Sequence, residues 1–256
     1  MPVVEADYSS VENLAKILKG QDAVVSTVGP EATTGQKTII DAAILAGVKR
    51  FIPSDFGSLT NDPKASTIPL LRGHIEIQKY LEEKAQANKI EYTLVSPGPF
   101  LEYIFGSFPL FADFPNKTVT LHGKGDVPFS ATSLGGIGKT VAGILKNPGQ
   151  TKNRVLFVNE TVLTQARVLE LAKKASPGAQ WNVSTVDSAE ALKTATAEFE
   201  KNPYDLNSVV SLLRAAILSG QFRSKYPKVD NEIVGLPLLT EEELIEKYVP
   251  LFNGAA

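Results

Sequence analysis

Residues 22–57, DAVVSTVGPEATTGQKTIIDAAILAGVKRFIPSDFG, contain the pattern that decides the fold. A short apolar segment ends at Gly29, an amphipathic segment stops at Gly47, and a second apolar segment begins at Arg50. Uninterrupted apolar residues predict a strand, and apolar residues at helical spacing predict a helix. Two strands joined through a helix are typical of a parallel pair in an α/β sheet.

The same alternation continues on both sides of this stretch. Helices lie between short apolar segments that are bounded by turn residues, which is typical of a parallel sheet covered on both faces. The predicted strands are 3–6, 22–29, 50–53 and 92–96, and the predicted helices are 11–18, 36–46 and 69–87.

After about residue 100 the pattern changes to short strands and more frequent helices. Residues 100–114 hold six aromatic side chains, namely Phe100, Tyr103, Phe105, Phe108, Phe111 and Phe114. We therefore predict an α/β part in residues 1–100 and a smaller α-rich lobe in residues 101–256, with some segments of the lobe returning to the sheet.

The composition excludes several classes of protein. The 256 residues include no cysteine and only two histidines, which argues against disulfides, thiolate catalysis and a metal site. The net charge of −2 argues against a dedicated nucleic-acid binder. No apolar run approaches the ~20 residues of a membrane span, and residues 1–15 show no signal-peptide pattern. We expect a cytoplasmic protein whose partner is a small molecule, not a nucleic acid or a membrane; the oligomeric state stays open.

Five segments resemble the NmrA-like, isoflavone-reductase-like proteins, which are atypical relatives of the short-chain dehydrogenases. They are residues 4–8, 22–29, 46–57, 92–100 and 127–145, and the most specific is 46–57, AGVKRFIPSDFG. The sequence is most similar to fungal members. The resemblance implies a Rossmann-like, NAD(P)-binding sheet with a substrate lobe. It also implies either an NADPH-dependent reductase of a small aromatic or carbonyl substrate, or a non-catalytic regulator that senses dinucleotides.

Three strand-end turns form the predicted cofactor site. In an open α/β sheet, ligands bind beyond the carboxyl ends of the strands, so these turns should meet at one edge. The predicted cofactor-binding residues are Ser26, Thr27, Val28, Ser54, Asp55, Phe56, Gly98, Pro99 and Phe100. Phe100 and Tyr103 are predicted to bind substrate in an apolar cleft opposite residues 54–57. The alternative is that the turns are ordinary and the rings only join the two lobes.

The amino terminus departs from the family pattern. The chain opens at what would be the third strand, so strands 1 and 2 of the family sheet are missing, and no glycine-rich dinucleotide motif occurs before residue 100. This indicates either a shortened sequence or a loss of cofactor binding. We therefore expect weak or absent NADPH binding by this chain, and an exposed sheet edge at residues 23–26.

The catalytic position is the second departure. The family places a lysine near the start of the helix after residues 54–57, and the corresponding residue here is His74. A histidine can relay protons near neutral pH. Lys79 is the second candidate, and the alternative for His74 is a solvent-facing polar residue.

Three further patterns are not expected to carry function. Gly138-Lys139-Thr140 resembles the end of a phosphate-binding loop, but Ser133 stands where that loop needs glycine. Tyr80 and Lys84 match a dehydrogenase Tyr-x-x-x-Lys pair, yet they lie toward the far end of their helix. His122, next to a glycine in a predicted strand, is expected to be a core or surface residue.

Overall fold

A computed structural model describes residues 3–106 and 110–253. The strands are β1 Ala23–Val25, β2 Arg50–Ile52, β3 Glu91–Ser96, β4 Thr118–His122, β5 Phe129–Ala131, β6 Arg154–Phe157, β7 Thr161–Leu163 and β8 Asn182–Val186. The helices are α1 Val11–Leu18, α2 Gln36–Ala46, α3 Arg72–Gln86, α4 Leu101–Phe105, α5 Leu134–Lys146, α6 Gln165–Ala175, α7 Ser188–Lys201, α8 Leu206–Leu218, α9 Asn231–Val234 and α10 Glu241–Tyr248.

The helix ends follow local sequence signals. Helix α2 stops at Gly47, whose φ of 78° lies in the left-handed region that glycine adopts without strain. Helices α5 and α10 begin after Ser133 and Thr240, whose hydroxyls accept hydrogen bonds from the first turn. None of the helices in residues 3–106 and 110–253 has the length and apolar character needed to cross a bilayer.

The central sheet has four parallel strands in the order β1-β2-β3-β6. The predicted α/β fold with a parallel sheet is therefore confirmed. Strand β6 comes from beyond residue 100, so part of the second half of the chain contributes to the sheet.

The two faces of the sheet are buried against different helices. In β2, Phe51 packs with apolar residues of α1, α2 and α3, whereas Ile52 packs with residues of α5 and α9. In β3, Leu94 and Val95 divide between the same two clusters. This alternation arises because successive side chains of a strand point to opposite faces. It fixes the sheet between two helical layers and orients its carboxyl edge.

The remaining chain forms a lobe with its own core. Parallel β4–β8 and antiparallel β5–β7 pack with α6, α7 and α8. Phe105, Phe111 and Phe114 are each at most 1% exposed and belong to this core. Three of the six aromatic residues noted above are therefore packing residues, and Phe108 lies outside the described residues.

The strand predicted at residues 3–6 is wrong. Val3 and Val4 are 98% and 60% exposed and lie in irregular backbone. The described residues offer them no neighbouring strand, and an isolated segment cannot form a ladder of hydrogen bonds. Strand β1 consequently lies at the sheet edge, as expected, with Val25 38% exposed.

Candidate active site

Two of the predicted turns meet at the carboxyl edge of the sheet. The Ser26 amide donates to the Ile52 carbonyl at 2.9 Å, and the Ser54 hydroxyl donates to the Val28 carbonyl at 2.8 Å. The Ser54 amide donates to the buried Gln36 side chain at 2.7 Å. Residues 26–28 and 54–56 are thus held together by direct hydrogen bonds, while the side chain of Thr27 stays exposed.

Asp55 is buried at the centre of this edge. Its side chain belongs to a residue only 2% exposed, and Oδ2 accepts from Gln78 Nε2 at 2.6 Å. The same Gln78 nitrogen lies 3.3 Å from Asn61 Oδ1, and Asn61 Nδ2 donates to Ser96 Oγ at 2.8 Å. This network connects the ends of β2 and β3 through the first half of α3.

The charge of Asp55 is disfavoured by its surroundings. Burial raises the pKa of Asp55, while the charge of nearby His74 and the hydrogen bond from Gln78 act in the opposite direction. His74 precedes Gln78, the hydrogen-bond donor to Asp55, by four residues in α3, so the two side chains share one face of the helix. A carboxyl group with a raised pKa next to an imidazole is the kind of pair that holds or moves a proton.

His74 lies in the first turns of α3, on the side that faces this edge. It is half-buried, and its Nδ1 is inaccessible and has no hydrogen-bond partner among the described residues. Lys79 is exposed instead. His74 thus shares the helix face of Gln78 while Lys79 is exposed, and the catalytic role of either residue stays a prediction.

The third turn is fixed by packing. Gly98 has a φ of 74°, and a Cβ atom there would lie 2.0 Å from the Ser130 carbonyl oxygen. Only glycine fits such a close approach. The adjacent Pro99 is buried, and its carbonyl accepts from the Thr132 amide at 3.2 Å. The glycine is thus explained by the fold itself, and its predicted cofactor contact stays a prediction.

Tyr226, from the segment before α9, also reaches this edge. Its hydroxyl donates to the Ser58 carbonyl at 3.0 Å. Burial raises the pKa of Tyr226, and hydrogen bonding to the backbone of Gly98 and to the side chain of Ser96 acts against that shift. The tyrosine therefore contacts both the 54–58 turn and the 96–98 turn. Its hydroxyl is protonated at physiological pH and can donate a hydrogen bond.

The predicted substrate residues remain accessible. The rings of Phe100 and Tyr103 lie 5.4 Å apart between centroids, Phe100 is half-buried, and Tyr103 is 46% exposed. Phe56 is half-buried and packs against the apolar cluster that contains Ile52 and Val95. A small cavity of about 170 Å³ next to the 54–58 turn is lined by Tyr226 and Phe157, not by Phe100 or Tyr103.

Unpaired polar atoms concentrate at this edge. Among the described residues, five buried side-chain atoms lack a hydrogen-bond partner. Three of them, Ser26 Oγ, Asp55 Oδ1 and His74 Nδ1, belong to the strand ends and to the helix beside them. Buried polar groups are normally paired, so three such atoms distinguish this edge from the rest of the described core.

Ser26, Asp55 and His74 carry groups that can hydrogen-bond the nicotinamide half of a dinucleotide. The unpaired hydroxyl, carboxylate and imidazole suit the amide and hydroxyl groups of a nicotinamide riboside. The start of helix α5, in contrast, offers no room for the pyrophosphate. Gly138-Lys139-Thr140 lies inside helix α5 and not in a loop. At the start of that helix, Glu160 accepts from the Ser133 amide at 2.7 Å, and Glu102 accepts from the Leu134 amide at 3.0 and 3.1 Å. Two carboxylates therefore fill the helix end that an anion would need.

The Tyr80 and Lys84 pair has a structural role. The Tyr80 hydroxyl donates to both carboxylate oxygens of Asp41 at 2.7 Å, and Lys84 Nζ lies 2.9 Å from Asp41 Oδ1. The pair joins α3 to α2 and does not reach the site, as expected.

Several residues of the site were missed in the sequence. Gln78 follows His74 by four positions on the same helix face, and this spacing was a usable signal. Asn61 follows the 46–57 segment closely, but nothing in its surroundings indicates its contact with Ser96. Tyr226 is 168 residues from its partner Ser58. No local pattern could have indicated that contact.

Comparison with known proteins places this architecture in a family. The NmrA-like family model matches residues 1–248. Oxidoreductase aprR of Aspergillus flavus is 34% identical over 244 residues, with 93% of this chain and 80% of the relative covered. Oxidoreductase poxI of Penicillium oxalicum is 33% identical over 206 residues, with 78% of this chain and 64% of the relative covered.

A solved structure has the same fold. The binary complex of leucoanthocyanidin reductase with NADPH from Vitis vinifera matches with a TM-score of 0.74 at 22% identity, over 98% of this chain and 85% of the reductase. The family inferred from the 46–57 segment and its four companions is confirmed: the chain belongs to the NmrA-like family.

Proposed function

We propose that this protein is an NADPH-dependent oxidoreductase that acts on a small aromatic or carbonyl substrate. Two fungal relatives are named as oxidoreductases, and the reductase from Vitis vinifera that shares the fold was solved with NADPH. The observation that carries the proposal is the group of three unpaired polar atoms at the carboxyl edge, on Ser26, Asp55 and His74.

In this proposal some residues of the edge hold the cofactor and others cover the substrate. When bound, NADPH supplies a hydride. In the proposed arrangement the 26–28 and 98–100 turns hold the nicotinamide between them, and the 54–56 turn forms the floor. Phe100 and Tyr103 cover the substrate, since their exposed faces lie at the start of the lobe. Aromatic side chains with few polar groups are typical of such pockets.

His74 supplies the proton in this proposal. Its imidazole lies beside Asp55, whose position is fixed by the 2.6 Å hydrogen bond from Gln78. Asp55 stabilises the protonated imidazole, and the bulk of α3 holds the ring at the edge. General acid catalysis by a positioned side chain contributes about 10²–10⁴-fold to a rate.

The alternative function is a non-catalytic dinucleotide-sensing regulator. One observation favours it: in residues 3–106 and 110–253, the start of helix α5 is closed by Glu102 and Glu160.

Three further proposals concern the roles of the two parts of the chain, its location in the cell and its partner. Residues 1–100 act mainly in cofactor binding and residues 101–256 mainly in substrate binding. The cytoplasm is the proposed location. The near-neutral net charge of −2 supports a small-molecule partner over a nucleic acid.

The experiment is NADPH oxidation with small aromatic carbonyl compounds, comparing His74→Ala with Lys79→Ala as the matched control on the same helix. We expect His74→Ala to lower turnover by about 100-fold or more, because it removes the proton donor. Lys79→Ala should change turnover less than about threefold, because that side chain is exposed. A His74→Ala effect below threefold would assign His74 a structural role, and absence of turnover with retained NADPH binding would favour the regulator.

A further inference from the structure

Two amide side chains connect the buried carboxyl group of Asp55 to the end of strand β3. Gln78 Nε2 donates to Asp55 Oδ2 at 2.6 Å and lies 3.3 Å from Asn61 Oδ1. Asn61 Nδ2 in turn donates to Ser96 Oγ at 2.8 Å. In each of these contacts an amide nitrogen faces an oxygen atom, so the orientations of the two amides are linked.

The orientation of the Gln78 amide matters for the protonation of Asp55. An amide nitrogen donates to an ionised carboxylate, whereas an amide oxygen can only accept from a protonated carboxyl group. A hydrogen bond to the charged form favours that form. This agrees with the effect of Gln78, which acts against the rise that burial causes in the pKa of Asp55. A reversed amide would have the opposite effect.

Asn61 is placed to prevent that reversal. Its nitrogen lies 2.8 Å from Ser96 Oγ and 3.3 Å from Thr60 Oγ1, so two hydroxyl groups attract the nitrogen and leave the oxygen toward Gln78. If the Gln78 amide turned around, two amide oxygens would face each other without a hydrogen atom between them. Ser96 itself is fully buried in β3, which fixes the far end of the chain of contacts.

Helix α3 does not depend on Asn61 for its position. Ile77 and Leu81 of this helix are at most 1% exposed and pack in the cluster that contains Phe51 and Leu94. Burial of such apolar side chains holds a helix on a sheet. Removal of the Asn61 amide should therefore leave the helix in place and free the Gln78 side chain to turn.

We propose that Asn61 is a positioning residue for the pair of Asp55 and His74: through its contacts with Ser96 and Gln78, it keeps the Gln78 amide donating to Asp55. The consequence for catalysis rests on the proposed function, in which ionised Asp55 stabilises the protonated imidazole of His74.

The charges around Asp55 are few and stay constant in this test. His74 of α3 and Tyr226 of the segment before α9 interact with it electrostatically, and the neighbouring ends of β1 and β3 contribute uncharged serines. Burial raises the pKa of Tyr226, so its hydroxyl stays neutral while a carboxyl group titrates. Asp62, next in the chain to Asn61, accepts from two backbone amides. An uncharged substitution at Asn61 therefore changes hydrogen bonds without changing these charges.

The first experiment is a pH titration of the full chain labelled with ¹³C-carboxyl aspartate, in which the Asp55 signal is the one that Asp55→Asn removes. Asn61→Leu keeps the side-chain volume, and we expect it to raise the Asp55 midpoint by about one pH unit, the effect of a lost hydrogen bond to a charged group. Asn147→Leu is the matched control. The half-buried Asn147 also makes two side-chain hydrogen bonds, to Gly143 and Ile233, and its loss should leave the midpoint unchanged.

A double-variant comparison shows whether Asn61 acts through Gln78. Gln78→Met should raise the Asp55 midpoint at least as much as Asn61→Leu does. Adding Asn61→Leu to Gln78→Met should then change the midpoint little further, because the amide that Asn61 positions is already gone. If Asn61→Leu fails to fold, Ser96→Ala, which removes the acceptor of the Asn61 nitrogen, should raise the midpoint in its place.

Turnover gives the second readout. Asn61→Leu should lower kcat for NADPH oxidation by about tenfold, at the low end for a group that assists proton transfer, with KM changed less than threefold. An unmoved Asp55 midpoint, a shift equal to that of Asn147→Leu, or an undiminished further shift in the Gln78→Met background would overturn the proposal. A kcat within twofold of the wild type would overturn its catalytic part. A shifted midpoint in a chain without turnover would support the positioning role and contradict the proposed function instead.

Discussion

The two ends of strand β2 surround a buried charge in opposite ways. At the amino end, the Arg50 guanidinium donates four hydrogen bonds from its terminal nitrogens, to Thr93, Thr151, Glu91 and the Pro148 carbonyl, at 2.8–3.1 Å. Just after the carboxyl end, Asp55 Oδ2 accepts from Gln78, while Oδ1 has Thr60 nearby but no hydrogen bond of good geometry.

The difference separates a structural end from a ligand-binding end. Arg50 joins β2 to β3 and to the loop between α5 and β6, so its interactions are complete within the chain except at Nε. Asp55, Ser26 and His74 keep buried polar atoms without partners at the other end. Binding sites commonly retain such unfavourable features, which reduce stability while serving function. Substitutions at the two ends should therefore change stability in opposite directions.

The largest effect is expected at Arg50. Arg50→Met leaves the buried Thr93 hydroxyl without its donor and Glu91 with Lys152 as its remaining partner. Breaking this largely buried ion pair should lower the free energy of unfolding by about 2–4 kcal/mol. Urea denaturation measures this change. The control is Lys49→Met, since the Lys49–Asp22 pair is 77% and 81% exposed and should leave the unfolding midpoint unchanged. Equal effects of the two substitutions would contradict a structural amino end.

Asp55→Asn should have the opposite sign. Because burial raises the pKa of Asp55, its carboxyl stabilises the fold below the ordinary value of 3.8 and loses that contribution as the pH rises through the folded value. Asparagine does not ionise, so the Asp55→Asn variant does not lose stability in this way as the pH rises. The variant should be more stable than the wild type at pH 8, because an amide carries no charge to desolvate, with a smaller gain as the pH approaches 3.8.

Asp230 provides the matched control for Asp55. Its Oδ1 lies 2.6 Å from Arg154 Nη2, and its Oδ2 accepts from the Phe157 amide at 3.0 Å. Asp230→Asn should therefore lower stability. Urea denaturation of both variants between pH 4 and pH 8 makes the comparison, and an Asp55→Asn variant less stable than the wild type at pH 8 would argue against an unsatisfied carboxyl edge.

The smallest effect concerns two buried serines. Ser26→Ala removes a hydroxyl without a partner, so stability should stay equal or rise by up to about 1 kcal/mol. Ser130 Oγ accepts from Asn159 Nδ2 at 3.2 Å and from the Tyr226 amide at 3.1 Å. Ser130→Ala should lower stability by about 1–2 kcal/mol. Thermal unfolding separates them, and a larger loss for Ser26→Ala would sink the distinction.

The sequence predicted the sheet well because its signals are local. The apolar segments around Phe51 and Leu94 and the glycine after α2 mark strands and a helix end without reference to distant residues. Strand β8 was not predicted, because Asn182–Val186 is mostly exposed and polar and its pairing with β4 is a long-range contact. Residues 3–6 look like a strand for the converse reason: their composition suits a strand, but pairing needs a neighbour.

The site was predicted in part. The turns at 26–28 and 54–56, and His74, lie together because parallel strands end at the same edge. The partners that orient Asp55, namely Gln78 and through it Asn61, depend on how α3 packs, and Tyr226 depends on a contact across most of the chain. Gly98 shows a further limit, since the Ser130 backbone explains its presence without a ligand.

The most direct test of the central claim is a titration of NADPH into ¹⁵N-histidine-labelled chain. The claim is that the unpaired atoms at the carboxyl edge bind the nicotinamide half of the cofactor, in a sequence whose residues 1–100 hold no glycine-rich dinucleotide motif. The expected result is a saturable shift of the His74 imidazole signals, no shift of His122, and a dissociation constant weaker than micromolar. Losing phosphate contacts worth about 4 kcal/mol weakens binding roughly 1,000-fold. An unmoved His74 signal at saturating NADPH, or binding at micromolar strength or tighter, would contradict the claim.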